Sequence, residues 1–272
     1  MSGQKVSGVS STLRKPSFIL AILTLQVKYA QEMLNVVQKP GCLYNKSMEA
    51  RFEDYFPPWK GLSEEQRKQL ERQAVFTDVP KGRILHDGNA DCIGVITVFE
   101  GQLRAYITSN EGKEVTLFRL FNRDICLLSA SCMLADIQFE ITLEAEKDTA
   151  FWLIPADVYR KIMQESAALA NYTNSIMASR FSDVMWLVEQ MIFKSMDERL
   201  ALFLLDESDL ESTDNLQITH ERIAHHLGSA REVISRLLQY FQNEGAVELK
   251  RGGIVLTNKA LLESRLKKER NR

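Results

Sequence analysis

The positions of apolar and polar residues divide the chain into stretches of different period. Between residues 83 and 154 apolar side chains alternate with polar ones in short β-prone runs at 83–86, 93–99, 103–108, 114–121, 139–145 and 150–154. The pairs Lys81-Gly82, Asp87-Gly88, Glu100-Gly101 and Glu111-Gly112 punctuate them as turns. Many short strands at this spacing predict an antiparallel sandwich, roll or barrel. One helix precedes them over residues 62–74, N-capped by Ser63, with Gln66 three residues later completing a capping box. Pro155 ends the β region, and helical periodicity takes over from Ala156.

Residues 169–194 contain neither Gly nor Pro and predict one long helix. Ile176, Val184, Leu187 and Met191 form one apolar stripe, and Met177, Met185, Val188 and Ile192 an adjoining one. Two stripes imply burial on two sides. A helix of roughly 39 Å, at 1.5 Å per residue, standing between a β domain and a basic domain reads as a dimer seam. The alternative is a core helix of a single domain. A short helix over 197–205 and a polar linker over 206–215 are expected next.

From His220 to Leu238 the apolar positions are Ile223, Ala224, Leu227, Val233, Ile234, Leu237 and Leu238, with Gly228 between the two groups. Two short helices broken by a Gly turn follow from this, with Thr219 capping the first and Ser229 the second. Small Ala224 permits close approach, and Gly228 permits the positive φ that reorients the chain. A helix-turn-helix lays its second helix in the DNA major groove. The segment Val247-Glu-Leu-Lys-Arg-Gly-Gly-Ile-Val-Leu256 then reads as strand, turn and strand. It forms a wing whose basic tip, Lys250 and Arg251, suits phosphate contact.

Composition narrows the class. The chain has 272 residues, 45% hydrophobic and 26% charged, as a globular protein does. No run approaches the roughly 20 apolar residues of a spanning helix. The net charge of −2 hides an asymmetry: residues 216–272 hold 11 Lys and Arg against 6 Asp and Glu. A polyanionic partner is therefore expected at the C-terminal end. The first 47 residues show no sustained period, and they read as an extension or a mis-called start ahead of Met48, the alternative being a mobile amphipathic arm. Arg14-Lys15 and the apolar stretch 18–25 resemble a signal peptide, but Lys28 stands where a small residue is needed before Ala30. A cytoplasmic location is expected. The resulting domains are 1–47 extension, 48–167 sensor roll, 168–195 dimerisation helix and 196–272 winged helix.

This order resembles that of the bacterial Crp/Fnr transcription regulators, over about residues 50–262. Val98-Phe-Glu-Gly-Gln-Leu-Arg-Ala-Tyr106 and Asn110-Glu-Gly-Lys-Glu-Val-Thr-Leu-Phe118 are similar to the family's paired strands and Gly turns. Gly228-Ser-Ala-Arg-Glu-Val-Ile-Ser-Arg-Leu-Leu238 is similar to its recognition helix. The resemblance implies an α+β fold: an N-terminal antiparallel β-roll (a jelly roll like those that bind cyclic nucleotides), a long dimerisation helix and a C-terminal winged helix-turn-helix. It places Glu232, Ser235 and Arg236 at base-reading positions, in the pattern of the Fnr branch that reads TTGA-type half-sites. Four residues apart, Glu232 and Arg236 share a helix face. Arg bridges guanine O6/N7 and Glu accepts from cytosine N4, each worth roughly 1–3 kcal/mol of discrimination. Arg231, beside them, is a further base or phosphate contact.

The signal is less legible. Relatives that bind cyclic AMP hold its phosphate with a Gly-Glu pair and an Arg-Ser or Arg-Thr pair. The corresponding Asp124-Ile-Cys-Leu-Leu-Ser-Ala-Ser-Cys-Met-Leu134 lacks Gly-Glu, and no Arg occurs between Arg123 and Arg160. A buried phosphate without a cation is costly, which speaks against cyclic AMP. Cys42, Cys92, Cys126 and Cys132 do not match an iron–sulfur spacing and contain no CxxC pair, so no metal site is expected. Cys126 and Cys132 read as buried hydrophobes or as a thiol switch. Heme through His86 or a Cys stays open as the cofactor, while His220, His225 and His226 are poorly placed for sensing. A cupin-type enzyme needs a His-rich triad, and the roll offers only His86. The expectation is therefore a non-enzymatic homodimer reading palindromic TTGA-type DNA under an unidentified signal. Its partners are duplex DNA, itself and, if it activates, RNA polymerase, with no membrane. The alternatives are a thiol- or heme-based redox or NO sensor, and a winged-helix module that binds protein rather than DNA.

Overall fold

The computed structural model describes residues 51–87, 92–133 (backbone only at 131–133) and 140–266. The expectations for residues 1–47 lie outside the described residues. Two turns of 3-10 helix, Phe52–Asp54 and Pro57–Gly61, lead into α1 (Glu64–Gln73). The Gln66 amide donates to the Ser63 hydroxyl at 3.3 Å, and the Ser63 amide donates to the Gln66 side chain at 3.0 Å. This is the expected capping box, which satisfies donors that a helix's first turn leaves open.

Eight strands follow: β1 (Val75–Val79), β2 (Ile84–Asp87), β3 (Val95–Glu100), β4 (Leu103–Thr108), β5 (Glu114–Leu120), β6 (Ile125–Cys126), β7 (Thr142–Ala145) and β8 (Thr149–Ile154). They form two antiparallel sheets, ordered β1-β8-β3-β6 and β2-β7-β4-β5. Ile96, Val98, Leu103, Phe118, Leu143 and Phe151 pack within the roll. Strand β3 is covered on both faces, because Val95 packs under Phe52, Phe56, Trp59, Leu70 and Tyr159. It therefore reads as a continuous apolar run rather than an alternating one.

Helix α2 (Ala156–Glu165) starts directly after Pro155, and Ser166 both ends it and caps α3 (Ala167–Phe193), accepting from the Leu169 amide at 3.3 Å. The Tyr159 hydroxyl lies 2.8 Å from that of Thr173 and ties α3 to α2. Burial pushes Tyr159 up to about 12, so it stays a neutral phenol. At 1.5 Å per residue α3 is about 40 Å long. Ile176 and Met177 pack against the roll, whereas farther along Phe181, Met185, Val188 and Ile192 are exposed.

The next helix, α4 (Met196–Glu211), runs six residues beyond the expected 197–205. The polar residues that suggest a linker have partners instead. Glu207 is buried against Arg119, and the Ser208 hydroxyl donates to Asp214 at 2.7 Å. The rest comprises β9 (Asn215–Leu216), α5 (His220–Leu227), α6 (Arg231–Asn243), β10 (Val247–Lys250), β11 (Gly253–Leu256) and α7 (Lys259–Leu266). Strands β10, β11 and β9 form a small antiparallel sheet. Leu200, Leu204, Ile223, Ile234, Leu238 and Phe241 form its core with α4. No helix among the described residues is long and apolar enough to cross a membrane.

Candidate nucleic-acid interface

Helix α5 begins as expected, with the Arg222 amide donating to the Thr219 hydroxyl at 3.1 Å. It ends at Gly228, whose φ is +65°. A Cβ there would lie 2.5 Å from a methyl of Val115 on β5, so both the turn and the packing demand glycine. Ser229 does not cap the next helix. Its amide closes the turn by donating to the Ala224 carbonyl at 3.0 Å, a Schellman wrap, and Ala230 becomes the N-cap, without a side-chain bond. Glu232 consequently sits one position earlier in α6 than a capping box with Ser229 requires.

Helix α6 turns Glu232 and Arg236 outward. Both are exposed, and neither has an ion-pair or hydrogen-bond partner among the described residues. Ser235 points back instead, its hydroxyl 2.9 Å from Nδ1 of His220. Arg231 is exposed, its guanidinium 3.9 Å from Glu221. The wing turns through Arg251 and Gly252, where φ is +78°, and Lys250 lies 3.6 Å from Glu248. Thr219, Arg231 and Lys250 share a cleft of about 500 Å³ between wing and helices. Exposed cations therefore flank a helix face that carries an unpaired acid and an unpaired base.

The other face of α5 meets the roll, which the sequence reading missed. Alternation places Arg104, Arg119 and Glu144 on the outer side of the β2-β7-β4-β5 sheet, a bulge at Leu117 brings Thr116 to the same side, and α5 covers them. Arg104 is fully buried. It lies 2.6 Å from Glu114, donates to Thr116 at 2.7 Å and stacks 4.1 Å over the Tyr106 ring. Arg222 reaches Glu144 at 3.2 Å and Glu146 at 3.0 Å. Buried His226 lies between Thr116 (Nδ1, 2.8 Å) and Arg119 (Nε2, 3.0 Å). Nε2 also lies 3.3 Å from the Glu146 carboxylate, so a donor, Arg119, and an acceptor, Glu146, compete for that nitrogen.

Burial pushes the His226 imidazole down to about 4; Glu146 pulls the other way and the Arg119 charge adds to the depression. Burial raises the Glu146 carboxyl, but the His226 ring and Arg119 outweigh it and hold the group well below the usual carboxylate range. A neutral imidazole among ionised carboxylates and guanidiniums is the resting state of this junction.

A Crp-like helix-turn-helix domain model matches residues 198–265. A crystal structure of a transcriptional regulator of the Crp/Fnr family from Eubacterium rectale is 56% identical, with a TM-score of 0.77, covering 78% of this chain and 99% of that one. The chain belongs to the Crp/Fnr family. The cyclic AMP receptor protein of Thermus thermophilus is 25% identical over 166 residues, 61% of this chain and 76% of that protein. The c-di-GMP-responsive regulator CLP of Xanthomonas campestris shares the fold at 15% identity, with a TM-score of 0.60 over 71% of this chain and 99% of that one. This Crp/Fnr chain is thus a transcription regulator with a helix-turn-helix DNA-binding domain on a β-roll. In its roll, Cys126 is free and buried, and burial pushes its thiol up, which leaves little thiolate to react. His86 is buried on β2, and the Cys132 side chain lies outside the described residues.

Of the seam residues expected from sequence, Ile176 is packed on the roll core, and Val184 and Leu187 are half-buried. Met191 is exposed, but the fuller exposed stripe is Phe181, Met185, Val188 and Ile192.

Proposed function

We propose that the protein is a non-enzymatic homodimer that binds a palindromic TTGA-type site through α6 and the wing, under a signal received by the roll. The observation that carries the DNA reading is the pairing state of α6. Glu232 and Arg236 lie four residues apart, close enough to bond each other, yet both project outward with no partner among the described residues. Such groups suit base edges, Arg236 a guanine and Glu232 a cytosine. Lys250 and Arg251 suit the backbone phosphates, as does Arg231 at the mouth of the wing cleft. Ser235 braces the helix pair through His220, and Thr219 and Ser229 shape its ends.

The dimer reading rests on Phe181, Met185, Val188 and Ile192. An apolar stripe of this length on an otherwise packed protein marks an association surface, and two-fold pairing presents two reading helices to a palindrome.

The test is fluorescence anisotropy with a TTGA palindrome and a scrambled duplex across a salt series. Salt-sensitive binding with at least about a thousandfold preference for the palindrome is expected. No salt-sensitive binding to either duplex would overturn the reading in favour of a protein-binding winged helix.

A further inference from the structure

Opposite the exposed stripe, α3 faces a cleft. Trp186 and Gln190 lie roughly half a turn round the helix from Phe181 and Ile192, at ~100° per residue. With Leu117 and Phe121 from the roll and Leu202 and Phe203 from α4 they line a space of about 380 Å³, within the range of small-molecule sites.

The lining is mostly apolar, with two guanidiniums in it: Arg119, which is paired with Glu146 and Glu207, and Arg199. Arg199 is half-buried and donates to the Leu227 carbonyl at 2.7 Å. No carboxylate among the described residues pairs with it, whereas Arg104, Arg119 and Arg222 each have one within 4 Å. A guanidinium taken partly out of water without a counter-ion is a cost the fold leaves open, and an anion in charge-assisted contact offsets it. Asp206 lies on the same face of α4, seven residues and ~10 Å farther along, beside Glu207, which is committed to Arg119. The Arg119 charge at that end is already taken up by Glu146 and Glu207, so Asp206 leaves it net negative. The cleft therefore has a cationic end, an apolar middle and an acidic end.

We propose that this cleft is a binding site for a small organic monoanion with an apolar body, its carboxylate paired with Arg199. The site touches the roll, the long helix and Leu227 at the end of α5, so an occupant bears on all three.

The experiment is calorimetry on the full chain with octanoate, naphthoate, octanol and octylamine, without DNA, so that its result stands apart from that of the DNA test. Saturable binding of a carboxylate is expected at one site per chain, at least about tenfold tighter than octanol or octylamine. Arg199→Met should abolish the preference for the anion, and Arg199→Lys should keep much of it. Leu202→Trp, which fills the cleft and keeps the Arg199 charge, should remove binding altogether, and it serves as the decisive variant if Arg199→Met unfolds. The proposal is overturned by octanol or octylamine binding as tightly, by carboxylate binding that survives Arg199→Met or Leu202→Trp, or by no carboxylate binding at millimolar concentration.

Discussion

Arg104, a buried side chain of the roll, donates to the backbone carbonyl of His225 in α5 at 3.0 Å. One guanidinium thus holds a peptide oxygen of the DNA-binding domain while neutralising Glu114 and touching Glu144 within its own sheet. Removing one member of a buried pair typically costs 3–5 kcal/mol, because the partner is left charged and dry. Arg104→Met should therefore lower the melting temperature by several degrees. Hydrogen exchange should show the amides of 220–227 losing protection, while the α6 amides packed on Phe241 keep theirs. Equal loss throughout the winged helix would contradict this local role.

Acid should loosen the same junction. Free imidazole takes a proton near 6.5, but His226 in the folded protein resists until about 4. Between those values the unfolded chain holds more protons, so stability falls as pH falls. Glu146, depressed from 4.5, adds a further loss below that value. Melting temperature should be flat above pH 7 and decline progressively from about pH 6.5 to 4. In His226→Gln, which cannot take the proton, the part of the decline above pH 5 should shrink, the remainder coming from His220, which burial also lowers.

Arg236 and Lys250 should fail in different ways. Arg236→Ala should cost roughly 1–3 kcal/mol on a TTGA-type site and relax preference at one base. Lys250→Ala should weaken binding to every sequence about equally and reduce the salt slope by roughly one per contact, about two for a dimer. Salt series on cognate and scrambled duplexes measure both. The opposite assignment of effects would mean that helix and wing are misplaced.

Ile192→Glu, in the exposed stripe, should shift the protein to monomer in sedimentation velocity at micromolar concentration and weaken palindrome binding with it. Leu187→Gln, facing the cleft on the other side of α3, should leave the dimer intact. A dimer that survives Ile192→Glu would move the seam elsewhere.

Local chemistry was legible wherever a short motif carries its own geometry. Ser63 with Gln66, Gly228 between two apolar groups, and the Gly-Gly turn after Arg251 all lie where spacing places them. Most strands were readable from alternation. Strands β1, β6 and β9 were not, because five residues directly after a helix and two residues alone carry too little period. The role of Ser229 was misread because its amide, rather than its hydroxyl, does the work in the turn. The largest omission was the underside of α5. Alternation marks Arg104, Arg119 and Glu144 as facing away from the roll interior, but water and a polar protein surface satisfy such residues equally well, and Thr116 joins them only through the bulge at Leu117. His226, between two helical turns of a DNA reader, gave no sign of a partner more than a hundred residues upstream.

The make-up of that junction has a consequence for motion. Where two domains meet through oily faces, parting them leaves each half sticky and prone to aggregate. Here the sheet presents guanidinium, carboxylate and hydroxyl groups, and α5 presents Arg222, His225 and His226. Each of these recovers a hydration shell once released, which returns much of the Coulomb energy lost on separation. A seam made largely of such groups costs less to wet than an apolar one of the same extent.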